Sequence, residues 1–325
     1  MALLVFGVLM LSGCASFETE NKESETTTVT EETEDNKSLK ENESEESGSE
    51  KSESDETADN KSEKTEVLSF VNAFEESFEV EINPDIQKHD YDFSYLSSSD
   101  TAGPVSGSNH KIREEFLTYK DDTYRSRMGI DVSYHQGNID WQQVKETGIE
   151  FVFVRIGYRG YGEAGNIKAD DNALSYIEGA KENGLDVGVY FYSQAINEEE
   201  AVEEAEFVLK QLNGMELELP IVYDPEHVLD DEARTDDVSG EQFTKNAVAF
   251  LNRIKESGYE PAIYANMLWE AFELDLTKLA DYDIWYADYE PLPQTPYNFR
   301  YWQYSNTGNV SGIQGEVDLN LEFVH

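Results

Sequence analysis

From Met128 to the C-terminus, short apolar runs alternate with segments of helical periodicity. The run FVFVRIG is almost continuously apolar, which is typical of a parallel strand covered on both faces. Between two runs, Ala201, Ala205 and Val208 trace one face of a helix that ends at Gly214. Four such alternations, followed by four apolar runs with shorter connections, predict an α/β fold. We expect an irregular TIM-like (β/α) barrel with eight strands, about five helices and an incomplete helical layer.

The region before the barrel has weaker patterning. A short amphipathic helix, packed on the domain that follows, is predicted by four apolar residues at helical spacing: Val67, Val71, Phe74 and Phe78. The rest of this region has the composition of a linker, and no chemistry can be assigned to it. We therefore predict an N-terminal extension at 66–127 and a barrel domain at 128–325.

A strongly acidic segment precedes the extension. Between Glu18 and Thr65 there are 18 acidic and 6 basic residues and almost no apolar ones, so this part of the chain cannot form a core. It predicts a disordered tether at 14–65. The net charge of the whole chain is -45, so the acidity extends beyond the tether. This charge argues against binding to nucleic acid or to an anionic membrane face.

The first residues, MALLVFGVLMLSGCASF, contain an apolar run that is too short to span a bilayer. Leu11, Ser12, Gly13 and Cys14 resemble the lipobox of bacterial lipoproteins, although no Lys or Arg precedes the run. The resemblance implies a signal peptide at 1–13, a lipid on Cys14 and a location on the outer face of the bacterial membrane. Because the chain has one cysteine, disulfides within it and thiolate metal sites are excluded.

Carboxylates stand where several predicted strands end, which is where barrels of this kind place their functional groups. Asp224 and Glu226 follow the run LPIVY with Pro225 between them, and the period of two in a strand puts both on one side. A surface turn is the alternative interpretation of DPE. Asp131 belongs to the first strand and Asp318 to the last, and closure of the barrel makes these strands neighbours.

Such a group of carboxylates could bind a hard cation or hydrolyse a glycoside. No DxDxDG loop is present, and we predict no metal and no cofactor. Glycoside hydrolysis needs one protonated carboxyl group, which repulsion between close carboxylates can provide. Candidates for contacts with sugar rings stand near the other strand ends: Tyr158, Tyr192, Tyr264, Trp285, Asp288, Trp302 and Gln303. Arg155, inside an apolar strand, is expected to neutralise a buried carboxylate.

Seven segments together resemble glycoside hydrolase family 25, the Chalaropsis-type lysozymes: GIDVSYHQGNIDW, FVFVRIG, VGVYFYS, PIVYDPE, PAIYANMLW, IWYADYEPLP and YWQYSNTGNVSGIQGEVDLN. They occur in the family's order over residues 128–325. The resemblance implies an irregular barrel of eight strands and five helices. It also implies cleavage of the β-1,4 bond between N-acetylmuramic acid and N-acetylglucosamine in peptidoglycan.

The resemblance assigns Glu226 as the general acid and Asp224 as its assistant, which could orient the 2-acetamido group of the substrate. Asp131 and Asp318 match the two other acidic positions of the family's site. Pro225 departs from the family, which often has a bulkier residue there, and it could rotate Glu226 relative to Asp224.

Two alternatives remain at this stage: a chitinase-like glycosidase and a non-catalytic lipoprotein that binds cell-wall glycan. The partners we expect are peptidoglycan strands and, through the lipid, the membrane. We expect the protein to be a monomer.

Overall fold

The computed structural model describes residues 66–71, 77–99, 116–228 and 231–325. The predicted signal peptide, Cys14 and the acidic segment lie outside the described residues. In the part of the chain that is described, no helix is both long enough and apolar enough to cross a membrane.

The described residues form strands that are numbered here in chain order: β1 (Val67–Val71), β2 (Ser77–Glu81), β3 (Leu96–Ser99), β4 (Phe116–Tyr119), β5 (Arg125–Val132), β6 (Phe151–Arg159), β7 (Ile167–Ala169), β8 (Asp186–Ser193), β9 (Ile221–Pro225), β10 (Pro261–Asn266), β11 (Asp283–Ala287), β12 (Tyr301–Gly308) and β13 (Val317–Val324). The α-helices among these residues are α1 (Trp141–Glu146), α2 (Ala173–Glu182), α3 (Glu198–Leu212) and α4 (Gly240–Glu256). A π-helical turn spans Trp269–Glu273.

Eight strands close into a barrel, in the order β5, β6, β8, β9, β10, β11, β12 and β13. The pairing of β13 with β5 completes the ring. All neighbouring pairs are parallel except the two that include β13, which runs antiparallel to β12 and to β5. The predicted eight-stranded barrel with about five helices is therefore confirmed. Its last strand is reversed relative to a regular TIM barrel, in which all strands are parallel.

Side chains of the barrel strands alternate between the barrel interior and an outer layer. On β6, Phe151 and Phe153 belong to the interior cluster, whereas Val152 and Val154 belong to the outer one. The Phe153 ring stacks on Trp285 of β11, with ring centroids 4.7 Å apart. Because side chains fill the interior, no ligand can bind inside the barrel, and barrels of this kind place their active sites at one end.

The N-terminal extension covers the side of the barrel that has no α-helix. The ring of Tyr91 stacks on Phe323 of β13 with centroids 4.2 Å apart, and its hydroxyl donates to the backbone carbonyl of Phe299 at 2.6 Å. Phe93 meets the Trp302 ring of β12 edge to face at 6.2 Å. The extension thus occupies the place that helices after β11 and β12 would have in a regular barrel.

The first part of the extension corrects one prediction. Val67–Val71 and Ser77–Glu81 are not on a helix but form the antiparallel hairpin β1–β2. The helical spacing ran across the connection between the two strands, and Phe74 lies in that connection, outside the described residues. The sequence from Ser77 to Ile82 alternates polar and apolar residues, and this period of two is the signal of a strand.

The hairpin covers Glu270, a buried acid within the π-helical turn. Leu68, Val80 and Ile82 line a small cavity together with Glu270. Burial raises the pKa of the Glu270 carboxyl group to about 8, although a hydrogen bond with Thr295 opposes the rise. The Glu270 Oε1 atom has no hydrogen-bond partner among the described residues.

This buried acid predicts a pH dependence of stability. Since the pKa of Glu270 is about 8 in the folded chain and 4.5 in the reference state, stability is highest below pH 4.5 and is lost as the pH rises through about 8. Between pH 4.5 and 7 the loss from this group is about 3 kcal/mol. When the free energy of unfolding is measured in urea at several pH values, Glu270→Gln should remove this part of its pH dependence. Replacement of the exposed Glu256 by Gln should not. The same pH dependence of the free energy of unfolding in Glu270→Gln and in the wild type would contradict the prediction.

Candidate active site

Four carboxylates meet at one mouth of the barrel. Asp131 lies on β5 directly opposite Asp318 on β13. Because β13 is antiparallel, its first residues lie beside the last residues of β5. Asp224 lies on β9, two residues after the interior residue Val222, and therefore points inward. Glu226 comes two residues later, directly after the strand, and lies on the same side. The structure therefore brings together all four acids that the sequence analysis singled out.

Burial and mutual repulsion make protons bind tightly to this group. Burial raises the pKa of Asp224 well above its usual range, and the negative charges of Glu226 and Asp131 raise it further. The pKa of Asp318 is raised in the same way, by burial first and then by the charge of Asp131 and the hydrogen bond between these two carboxyl groups. Burial raises the pKa of Asp131 to about 6. The site therefore holds protons near neutral pH that isolated carboxylates would release.

Hydrogen bonds from two amide side chains favour the charged form of Asp131. Gln303 Nε2 and Asn320 Nδ2 each donate to Asp131 Oδ2 at 2.8 Å. Trp285 Nε1 donates to Asn320 Oδ1 at 2.8 Å, and the hydroxyl of Tyr264 donates to Gln303 Oε1 at 3.0 Å. These contacts fix the orientation of both amides. The network explains why the pKa of Asp131 is raised less than those of its neighbours.

Two residues of this network were missed in the sequence. Asn320 lies two residues after Asp318, so the period of two could have placed it on the same inward face. Tyr289 directly follows Asp288, and its hydroxyl donates to Gln303 Oε1 at 2.8 Å. Nothing in the sequence pattern distinguishes Tyr289 from an ordinary loop residue.

Arg155 of β6 is a buried cation whose charge acts on one of the four acids, Asp224. Its Nε and Nη2 atoms both lie 3.0 Å from Asp170 Oδ2. The guanidinium lies over the rings of Tyr134 and Tyr158, at 5.0 and 5.3 Å from their centroids. Its charge also opposes the rise in the pKa of Asp224 that burial and the neighbouring acids cause. The prediction that Arg155 neutralises a buried carboxylate is confirmed.

The structure assigns several predicted sugar-binding residues to packing. Trp302 is fully buried on the outer face of β12, against the extension, and its Nε1 donates to the backbone carbonyl of Asp288 at 2.8 Å. Trp285 lies inside the barrel with 1% exposure. Because neither indole has an exposed face, sugar stacking on Trp302 or Trp285 is corrected to a packing role. Tyr192 and Tyr264 are also buried, each at 3% exposure.

Three other predicted contacts occupy different positions. Gln303 is buried and belongs to the Asp131 network. Asp288 accepts hydrogen bonds from the Tyr286 hydroxyl and from the backbone N–H groups of Glu290 and Gln294, so it shapes the loop after β11. Tyr158 is half-buried under the Arg155 guanidinium. Of these three residues, Gln303 donates a hydrogen bond to one of the four acids.

Pro225 does not interrupt β9. It pairs in register with Ser193 of β8, and none of the described residues has a cis peptide bond. The strand therefore continues through Pro225, the residue that separates Asp224 from Glu226. The influence of the Glu226 charge on the pKa of Asp224 agrees with this close placement.

Comparisons with known proteins agree with the fold. The sequence profile described as "Glycosyl hydrolases family 25" matches residues 130–313. The autolytic lysozyme of Clostridium acetobutylicum is 28% identical over 193 residues, which cover 59% of this chain and 54% of that protein. The alignment with lysozyme M1 of Streptomyces globisporus is 29% identical over 202 residues and covers 59% of this chain and 66% of that protein. The chain thus spans between about half and two thirds of these relatives.

Solved structures share the architecture. The modular autolysin LytC of Streptococcus pneumoniae superposes with a TM-score of 0.54 at 22% identity, covering 79% of this chain and 56% of LytC. A family 25 glycosyl hydrolase of Bacillus anthracis superposes with a TM-score of 0.51 at 22% identity, covering 67% of this chain and 94% of that protein. These likenesses concern the fold. The profile covers more than half of the chain and includes three of the four acids, so the chain belongs to glycosyl hydrolases family 25.

Proposed function

We propose that this protein is a lysozyme-type glycosidase that hydrolyses β-1,4 bonds between N-acetylmuramic acid and N-acetylglucosamine in peptidoglycan. The observation that carries the proposal is the meeting of four carboxylates, three of them with raised pKa values, at one mouth of the barrel. Family membership and the names of the lysozyme relatives support it.

Glu226 is the proposed general acid. Its exposure of 8% is the highest of the four acids, compared with 1% for Asp131, 4% for Asp224 and 5% for Asp318. A group at the opening can reach the glycosidic oxygen of a bound glycan. Glu226 would donate its proton to that oxygen as the bond to the anomeric carbon breaks, so that the leaving sugar departs with a hydroxyl group.

Asp224 is the proposed partner of the substrate's acetamido group. Its Oδ1 atom is buried without a hydrogen-bond partner among the described residues, although an unpaired buried oxygen is costly. The N–H of a 2-acetamido group would satisfy it. Held in this way, the acetamido carbonyl oxygen would attack the anomeric carbon as the glycosidic bond breaks, and water would then open the cyclic intermediate and restore the acetamido group.

Asp131, whose pKa is about 6, would be ionised near neutral pH and would stabilise the positive charge that develops on the sugar ring, while Asp318 holds its proton and hydrogen-bonds to Asp131. Asp131 is held by Gln303 and Asn320, so its position is fixed before substrate binds. Electrostatic stabilisation by groups already in place needs little rearrangement during the reaction.

The site of action follows from the N-terminal sequence and is also a proposal. A lipid on Cys14 would hold the enzyme, as a monomer, on the outer face of the bacterial membrane, with the acidic segment between the lipid and the barrel. Replacing Cys14 by Ser should release the full-length protein from the membrane fraction into the medium and abolish incorporation of labelled fatty acid. Unchanged labelling would contradict lipidation at Cys14.

The activity can be tested with protein spanning residues 66–325, incubated with purified murein and with chitin. We expect new reducing ends from murein and few from chitin. Preferential release from chitin would favour a chitinase-like enzyme. Binding to murein without new reducing ends over a long incubation would favour a non-catalytic glycan-binding protein.

A further inference from the structure

One buried amide side chain holds the backbone of the proposed general acid. Gln194 directly follows β8 and is 1% exposed. Its Nε2 donates to the backbone carbonyl oxygen of Glu226 at 2.6 Å. Its Oε1 accepts a hydrogen bond from the Thr235 hydroxyl at 3.0 Å, and Thr235 is also 1% exposed. One side chain therefore connects the beginning and the end of the loop that follows Glu226.

The surrounding contacts keep Gln194 and the far end of the loop in place. The backbone carbonyl of Ala195 accepts a hydrogen bond from Asn246 Nδ2 of α4 at 2.8 Å. The backbone N–H of Arg234 donates to the carbonyl of Tyr161 at 2.8 Å, and the Arg234 guanidinium contacts Glu200 at 2.7 Å. Both ends of the connection are thus attached to the barrel or its helices. The Gln194 side chain connects the two ends through its hydrogen bonds with Glu226 and Thr235.

We propose that Gln194, together with Thr235, is a positioning residue for the Glu226 carboxyl group; this inference rests on the proposed function. The carbonyl of Glu226 belongs to the peptide unit that follows its Cα atom. Fixing this peptide unit restrains the ψ angle of Glu226. It thereby restrains the direction in which the Glu226 side chain points. Strand pairing cannot supply this restraint, since β9 ends at Pro225.

The chemistry of the contact requires an amide. A glutamine side chain donates through its nitrogen and accepts through its oxygen at the same time, and both functions are used here. Methionine has a similar length and offers neither function effectively. At position 235, valine keeps the shape of threonine but loses the hydroxyl donor, whereas serine keeps the donor.

The proposal predicts a loss in turnover without a loss in substrate binding. A misplacement of about 1 Å in a reacting group can cost about a hundredfold in rate, so Gln194→Met should lower kcat on murein about 10- to 100-fold. We expect KM to stay within about twofold, because Gln194 is 1% exposed and both ends of its amide are hydrogen-bonded within the protein. Thr235→Val should lower kcat by about tenfold, and Thr235→Ser should restore turnover close to the wild type.

Gln142→Met is the matched control. Gln142 lies on the exposed side of α1, where its Nε2 contacts Glu146. It should leave kcat and KM unchanged. If Gln194→Met and Thr235→Val are folded by circular dichroism and turn over murein like Gln142→Met, the positioning role is wrong. A parallel fall in kcat for Thr235→Val and Thr235→Ser would also overturn it.

Hydrogen exchange provides a test that does not depend on the substrate. Amides in peptides that cover residues 223–238 should exchange faster in Gln194→Met than in Gln142→Met, while peptides of β6 and β8 should not differ. Unchanged exchange in that region would reject the restraint even if murein proved not to be the substrate. Absence of reducing ends with the wild-type protein would instead refute the proposed function.

Discussion

Replacing Glu226 by Gln should lower the rate of reducing-end release from murein at least about a hundredfold, since proton donation to a leaving group contributes about 10² to 10⁴ in rate. The amide has nearly the same shape as the acid but cannot protonate the glycosidic oxygen. Because the substitution keeps the volume and leaves the barrel interior unchanged, KM should change little. The measurement is kcat and KM on purified murein at a pH near neutrality.

Glu182→Gln is a control for the loss of one carboxylate. Glu182 is the exposed last residue of α2, far along the chain from the four acids. Its replacement should leave both constants unchanged. Comparable turnover by Glu226→Gln and Glu182→Gln would remove Glu226 from the role of general acid. Loss of turnover by Asp224→Asn but not by Glu226→Gln would transfer the proton-donating role to Asp224.

The four acids could be located from the sequence because two simple rules place them. Asp224 and Glu226 share a face through the period of two in a strand, and only barrel closure was needed to place Asp131 beside Asp318. The reversal of β13 could not be foreseen, since an apolar run does not reveal its direction. The reversal did not alter the position of Asp318 beside Asp131, because the start of a reversed strand lies at the same rim as the end of its neighbours.

The aromatic residues expected to contact sugar were predicted less well, because the face to which each one points was not considered. Adjacent residues in a strand point to opposite faces, so Trp302 and Gln303 cannot both face the mouth. Gln303 contacts Asp131, and Trp302 therefore points outward, where the extension covers it. Both faces of a barrel strand are apolar, which hides this alternation from a search for aromatic residues near strand ends.

The sequence predicted that the extension packs on the barrel, but not which of its residues do so. Its apolar residues are few and irregularly spaced, and their partners lie about two hundred positions later in the chain, as the contact between Tyr91 and Phe323 illustrates. The structure shows why they are needed. Phe299, Trp302 and Phe323 would otherwise form an exposed apolar surface on the side of the barrel without helices.

The extension should therefore be required for the stability of the barrel. Tyr91 is 9% exposed, stacks on Phe323 and donates a hydrogen bond to the carbonyl of Phe299. Replacing it by Ala removes a large buried ring and leaves a cavity, which should lower the free energy of unfolding by about 3 to 5 kcal/mol. Tyr91→Phe removes the hydrogen bond alone and should cost about 1 kcal/mol. Both values can be measured by urea unfolding of the protein spanning residues 66–325.

Tyr95→Ala separates this role from a general sensitivity of the extension to substitution. Tyr95 lies four residues further along the same segment but is 51% exposed, so its loss should change the free energy of unfolding by less than about 0.5 kcal/mol. If Tyr91→Ala were no more destabilising than Tyr95→Ala, the extension would not contribute to the core. The barrel would then have to tolerate an open apolar side, and stability would reside in the strands and in α1 to α4 alone.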